Sequence, residues 1–161
     1  METTQSNLLV KMILMAWDAQ NNYFKKLISS LTDEQLAKEI APRKNTGVYL
    51  LGHLIAVSDG MLPLLGFGDR LFPEMEEVFI NNPDKSGQGF PPVTELKQRL
   101  EAVNTKLNDH FKSTEVNEWL SRHTAVSPED FVKEPHRNKL NVVINRTGHM
   151  AYHIGQLRLI N

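Results

Sequence analysis

The sequence predicts an all-α fold, a four-helix bundle with a long crossover loop between the second and third helices. Three observations carry this expectation. Apolar residues recur at three- and four-residue spacing over several long windows. No window alternates β-branched and polar residues between turn signals, so strands are not expected. The 161 residues show no repeat, low-complexity tract or linker, which gives one domain over 1–161, long enough to bury a core without disulfides.

The first helix is expected over about Ser6 to Leu31, where Leu9, Met12, Ile13, Ala16, Tyr23, Phe24, Leu27 and Ile28 fall on helical spacing. Thr32 with Gln35 is a capping-box pattern, opening a short helix that must end before Pro42. Thr46 is an N-cap candidate for the second helix, expected to reach Leu65, with Pro63 as a kink and the glycines of GFGD as the stop. LFPEMEEVF suits one or two turns, and INNPDKSGQGFPP has the Pro, Gly, Asn and Asp content of an irregular crossover. The third helix starts near Thr94 and lines up Leu96, Leu100, Val103, Leu107 and Phe111. Ser127-Pro128-Glu129 signals another short helix, and the fourth long helix runs from Asn138, as N-cap, to Ile160.

Composition narrows the chemistry. With no cysteine there is no disulfide, thiolate metal site or cysteine nucleophile, so any metal must be held by His, Asp or Glu. A formal charge of −1, with both signs spread along the chain, argues against nucleic acid as a partner and against an anionic membrane surface. The run NLLVKMILMAW lacks a basic leader, is interrupted by Lys11 and has no small-residue cleavage site after it, so it reads as a mature helix. The most apolar stretch, TGVYLLGHLIAVSDGMLPLLGFG, is broken by His53, Asp59 and Pro63 and reads as core rather than membrane span. A soluble, cytoplasmic protein is the expectation.

The closing run VVINRTGHMAYHIGQLRLIN places His149 and His153 on one helical face, roughly 40° apart at 100° per residue. One turn of separation lets two imidazoles share a divalent cation. Six histidines in this length make a chance pair common, so the pair alone decides nothing. The competing reading makes both half-buried core histidines, bonded to neighbours such as Asn145 or Gln156. No glutamate lies between them, which excludes a protease of the His-Glu-x-x-His type. His53, inside an almost wholly apolar helix, is by itself a satisfied core residue or a third ligand. Facing helices of a bundle can bring it to the other two, and three imidazoles leave one tetrahedral position open. His110, His123 and His136 sit among charged residues and read as surface.

NTGVYLLGHLIAVSDGMLPLLG, followed near the C-terminus by HMAYHIGQL, resembles the DinB-like superfamily of metal-binding four-helix bundles, which includes bacterial thiol-dependent transferases. The resemblance spans the second to the fourth helix, and His-x-x-x-His followed by Ile-Gly-Gln is its more specific part. It implies that His53, His149 and His153 are the ligands of a divalent metal ion, zinc or nickel above all, although imidazole also suits copper and iron. It further implies a bacterial homodimer, with bacillithiol S-transferase-like proteins and mycothiol-dependent isomerases as relatives, and a low-molecular-weight thiol as a second cofactor. Gln156 is placed to orient a ligand, Asn145 and Arg146 to meet a substrate carboxylate, and Tyr49 to donate a hydrogen bond into the cavity. The plainer roles are a solvated Arg146 and a packed Tyr49.

The function expected is a metal-dependent thiol S-transferase or small-molecule hydrolase acting at a three-histidine site. The alternative is a non-catalytic ligand-binding or stress-response bundle with a structural or adventitious metal. Met61, Leu62, Leu64, Leu65 and Phe67 offer a surface for the homodimer, or else internal packing.

Overall fold

The computed structural model describes residues 2–160. Its regular secondary structure is helical, and the two β-bridges among the described residues, Glu39 with Thr46 and Arg122 with Asn138, are isolated. Among the described residues there are eight α-helices rather than four: α1 (Glu2–Ser30), α2 (Asp33–Leu36), α3 (Gly47–Asp59), α4 (Met61–Leu65), α5 (Val93–Ser113), α6 (Val116–Trp119), α7 (Pro128–Lys133) and α8 (Lys139–Leu157). A single turn of π-helix, Glu77–Asn81, stands between α4 and α5.

The expected second helix is α3 and α4 together, and it breaks at Gly60 rather than at Pro63. Proline has no N–H to give the Asp59 carbonyl, so the hydrogen-bond ladder lapses three residues upstream of the ring. Gly66, at φ 76°, then closes α4 in the left-handed region that favours glycine. The local start signals act as read: Thr32 and Gln35 form both halves of a capping box, and Thr46, Ser127 and Asn138 each accept a backbone N–H at the start of their helices.

The four longest stretches, α1, α3–α4, α5 and α8, pack around one core, with α8 against α1 and α3, and α5 against α3 and α1. Contacts fix the directions. Tyr49 meets Phe90 at one end and Phe67 meets Phe111 at the other, so α3–α4 and α5 run the same way. Lys139 lies beside Gly66 and Ile160 beside Gly47, so α8 runs opposite to α3. Arg158 bonds to the Tyr23 hydroxyl and Lys25 to Glu101, which sets α1 parallel to α8 and antiparallel to α5.

All five residues of the α5 stripe are buried, each contributing about 1.5–3 kcal/mol on removal from water. On α1 the buried face is Val10, Trp17, Asn21, Phe24 and Ile28, whereas Leu9, Met12 and Ala16 are exposed. The surface expected for a partner copy is interior: Met61, Leu62 and Leu65 are fully buried, and Leu64 and Phe67 pack partly covered against the core. Exposed large apolar side chains on the long helices lie instead on α1 and α8, at Leu8, Met12, Met15, Ile144 and Tyr152 among others. The stretch Gly47–Leu65 is apolar and long enough to cross a membrane by composition, but most of it is buried inside the fold, as a core helix is.

Candidate metal centre

His53 projects from the middle of α3, and His149 and His153 from successive turns of α8, where the two antiparallel helices face each other. The Nε2 atom of His149 lies 3.3 Å from Nε2 of His53 and 3.1 Å from Nε2 of His153. The three rings meet edge to face, and all three residues are half-buried, closed on the core side and reachable from outside.

The remaining ring nitrogens explain why the Nε2 atoms turn inward. His53 Nδ1 donates to the Phe79 carbonyl at 2.8 Å, and His153 Nδ1 donates to the Gln156 side-chain oxygen at 2.7 Å. A ring that donates from Nδ1 keeps its lone pair on Nε2, so two lone pairs point at the third ring. His149 can offer one Nε2 proton to only one of them, and its own buried Nδ1 has no partner. A cation satisfies all three at once. Tetrahedral zinc at about 2.0–2.1 Å from each nitrogen requires ligand atoms about 3.3 Å apart, close to the spacing found. The residues therefore fit a divalent metal ion.

The carbonyl that fixes His53 reaches it by a route built into the sequence. Asp59 is fully buried and accepts the backbone N–H groups of Leu71 and Phe72, while Arg70 donates to Ala56 O and to Glu76. These bonds fold the segment after α4 back along α3. There Phe79 lies directly over Gly52, where a Cβ would overlap its ring. The glycine immediately before His53 is what lets the π-turn come close enough.

A model of the DinB superfamily matches residues 16–157. The chain belongs to the DinB superfamily. The same fold occurs in the crystal structure of a conserved protein from Enterococcus faecalis, with a TM-score of 0.62 and 17% identity over 93% of this chain and 95% of that one. No curated protein gives a significant match.

Within this DinB-superfamily chain the other residues singled out from sequence are distributed as follows. Gln156 touches the centre through His153. Tyr49 stacks 6.3 Å from the His53 ring, but its hydroxyl donates to the Asn82 carbonyl at 2.8 Å, tying down the end of the π-turn. Asn145 is exposed and bonds back to Asn141 O within its own helix, away from the triad. Arg146 lines a cavity that none of the three histidines lines. His110 and His123 are half-buried rather than superficial: His110 stacks on Phe67 at 4.6 Å, and burial followed by the charge of Arg137 pulls His123 below the usual histidine value. His136 is exposed. Sequence reasoning missed the Phe79 carbonyl, because a backbone oxygen has no residue identity to read. Its available signal was Gly52, a glycine inside an apolar helix beside a histidine.

Proposed function

We propose that the protein is a metal-dependent enzyme that transfers a low-molecular-weight thiol to a small electrophile at the site formed by His53, His149 and His153. The observation that carries this reading is the convergence of three Nε2 atoms at 3.1 and 3.3 Å, two of them held in the lone-pair-inward tautomer by Phe79 O and Gln156. Once bound, zinc or nickel supplies a Lewis acid that lowers the pKa of a thiol or of water. The histidines hold that ion, Gln156 and the Phe79 carbonyl orient them, and the apolar flank of α3 limits water.

Thiol transfer is favoured over hydrolysis by the surroundings. The ligand group contains histidines and no carboxylate, and the nearest charged side chain from α8 is the cation Arg146. The ion would lower both pKa values, but a thiol, near pKa 8.5 when free, starts several units below water and so ionises more readily in the same positive field. In the reaction a sulfur–carbon bond forms, the carbon–leaving-group bond breaks, and the thiol proton departs with the leaving group. With an epoxide the proton goes to the opened ring oxygen.

The test is turnover of chlorodinitrobenzene and of a terminal epoxide by zinc- and nickel-loaded protein, with a panel of small thiols. Thiol-dependent loss of electrophile that disappears in His53→Ala is the expected result. Loaded wild-type protein that leaves both electrophiles intact with every thiol would sink the transferase reading and leave a binding bundle.

A further inference from the structure

A cavity of about 450 Å³, which none of the three histidines lines, is bordered by Val57, Pro63, Leu64 and Ile80 and by the charged side chains of Arg70, Glu76 and Arg146. Val57 is one turn after His53 on α3, and Arg146 is three residues before His149 on α8, so the cavity continues the same inter-helix cleft. Its size is that of a small-molecule site.

The charges in it are not equivalent. Arg70 is already partnered, donating to Ala56 O and paired with Glu76 at 3.0 Å. Arg146 is half-buried, stays protonated, and has no hydrogen-bond or ion-pair partner among the described residues. Its charge is felt by Arg70 on one side and by His149 on the other. Half-burying a guanidinium beside a second one costs stability and brings the fold no compensating bond. That cost is accounted for if an anion completes the site.

We infer that this cavity is a carboxylate subsite, in which Arg146 grips the carboxylate of a small organic acid whose apolar stem lies along Val57, Pro63, Leu64 and Ile80. The three charged side chains sum to one net positive charge, which matches a monoanionic carboxylate rather than a phosphate dianion. A planar guanidinium can take both carboxylate oxygens in parallel. The inference deepens the proposed function, since it names the class of molecule presented to the histidines, but anion binding here does not depend on the metal.

The test uses chelator-treated full-length protein, followed by NMR of arginine side-chain N–H groups and backbone amides at low ionic strength. Three probes of one shape are compared: sodium phenylacetate, 2-phenylethanol and 2-phenylethylamine. Phenylacetate should shift the Arg146 signal saturably and bind at least tenfold more tightly than the alcohol, with the amine weaker still. Arg146→Gln should bring phenylacetate down to the affinity of the alcohol without changing alcohol binding. Because Arg146 makes no bond in the fold, that variant should keep or raise the melting temperature, which separates loss of a subsite from loss of structure. Equal binding of phenylacetate and 2-phenylethanol, or an R146Q variant with the carboxylate preference intact, overturns the subsite. Since these measurements are made without metal, failure of the metal centre would appear separately, as absent zinc uptake. Phenyl phosphate binding more tightly than phenylacetate would overturn the assignment to a monoanion.

Discussion

His53 donates from Nδ1 to the carbonyl of Phe79, 2.8 Å away and 26 residues later in the chain, and this bond decides which nitrogen of His53 faces the other two histidines. Its geometry depends on Gly52. Gly52→Ala inserts a methyl where the Phe79 ring lies, so the π-turn must lift off α3. The expected outcome is a stability loss of about 1–3 kcal/mol by urea titration, from overpacking. Zinc affinity, measured by competition with a chromophoric chelator, should drop about tenfold or more because His53 loses its orienting partner. Unchanged zinc affinity in a folded G52A protein would show that the carbonyl does not matter.

The triad itself predicts close to one divalent ion per chain in tag-free protein purified without nickel resin, measured by elemental analysis. His53→Ala, His149→Ala and His153→Ala should each reduce occupancy to a small fraction. Two remaining imidazoles cannot close a tetrahedral site, so the three variants should behave alike. Retention of wild-type metal content by all three would refute the centre.

Gln156 predicts a graded series. Its side-chain oxygen takes the Nδ1 proton of His153, which keeps Nε2 free for a ligand. Gln156→Leu removes the acceptor and should weaken zinc binding by about 10–100-fold. Gln156→Glu, with a stronger acceptor, should bind zinc at least as tightly as wild type. Equal affinities across all three proteins would mean that the ring is held by packing alone.

How much of this was legible in the sequence depends on what kind of signal each feature leaves. On α5 one apolar stripe faces one core, and all of Leu96, Leu100, Val103, Leu107 and Phe111 are buried as the spacing predicts. On α1 two apolar stripes share the same period, one through Val10, Trp17 and Phe24 and one through Leu9, Met12 and Ala16. Periodicity measures spacing and not direction, so the expected stripe mixes exposed Leu9, Met12, Ala16 and Tyr23 with buried Phe24 and Ile28. The break at Gly60 was displaced from Pro63 because a missing N–H is felt at the carbonyl it would have met. The histidines were visible as residue types at helical spacing. The unpartnered state of Arg146 and the reach of the Phe79 carbonyl arise from tertiary placement and leave no trace in composition.

Burial first, then the neighbouring charges of His153, His53 and Arg146, push the His149 imidazole from its ordinary 6.5 down to about 4. His153 is pushed the same way, chiefly by burial, with the Gln156 bond opposing. In metal-free protein the unfolded chain therefore takes up a proton at His149 between pH 6.5 and about 4, while the folded chain does not. Where the unfolded state binds more protons, stability rises with pH. The contribution of neutral His149 is thus fully present above pH 6.5 and is lost as pH falls toward about 4. Metal adds to this window, because a cation that binds only the folded state stabilises it by mass action and competes with protons for the same nitrogens. Thermal melts of zinc-loaded and chelator-treated protein should differ most at pH 7.5, less at pH 5 and hardly at all near pH 4. In metal-free His149→Gln the loss of stability between pH 6.5 and 4 should be shallower than in wild type. An identical melting temperature with and without zinc at pH 7.5 would remove the metal centre, and an acid slope unaltered by H149Q would remove His149 as the titrating group.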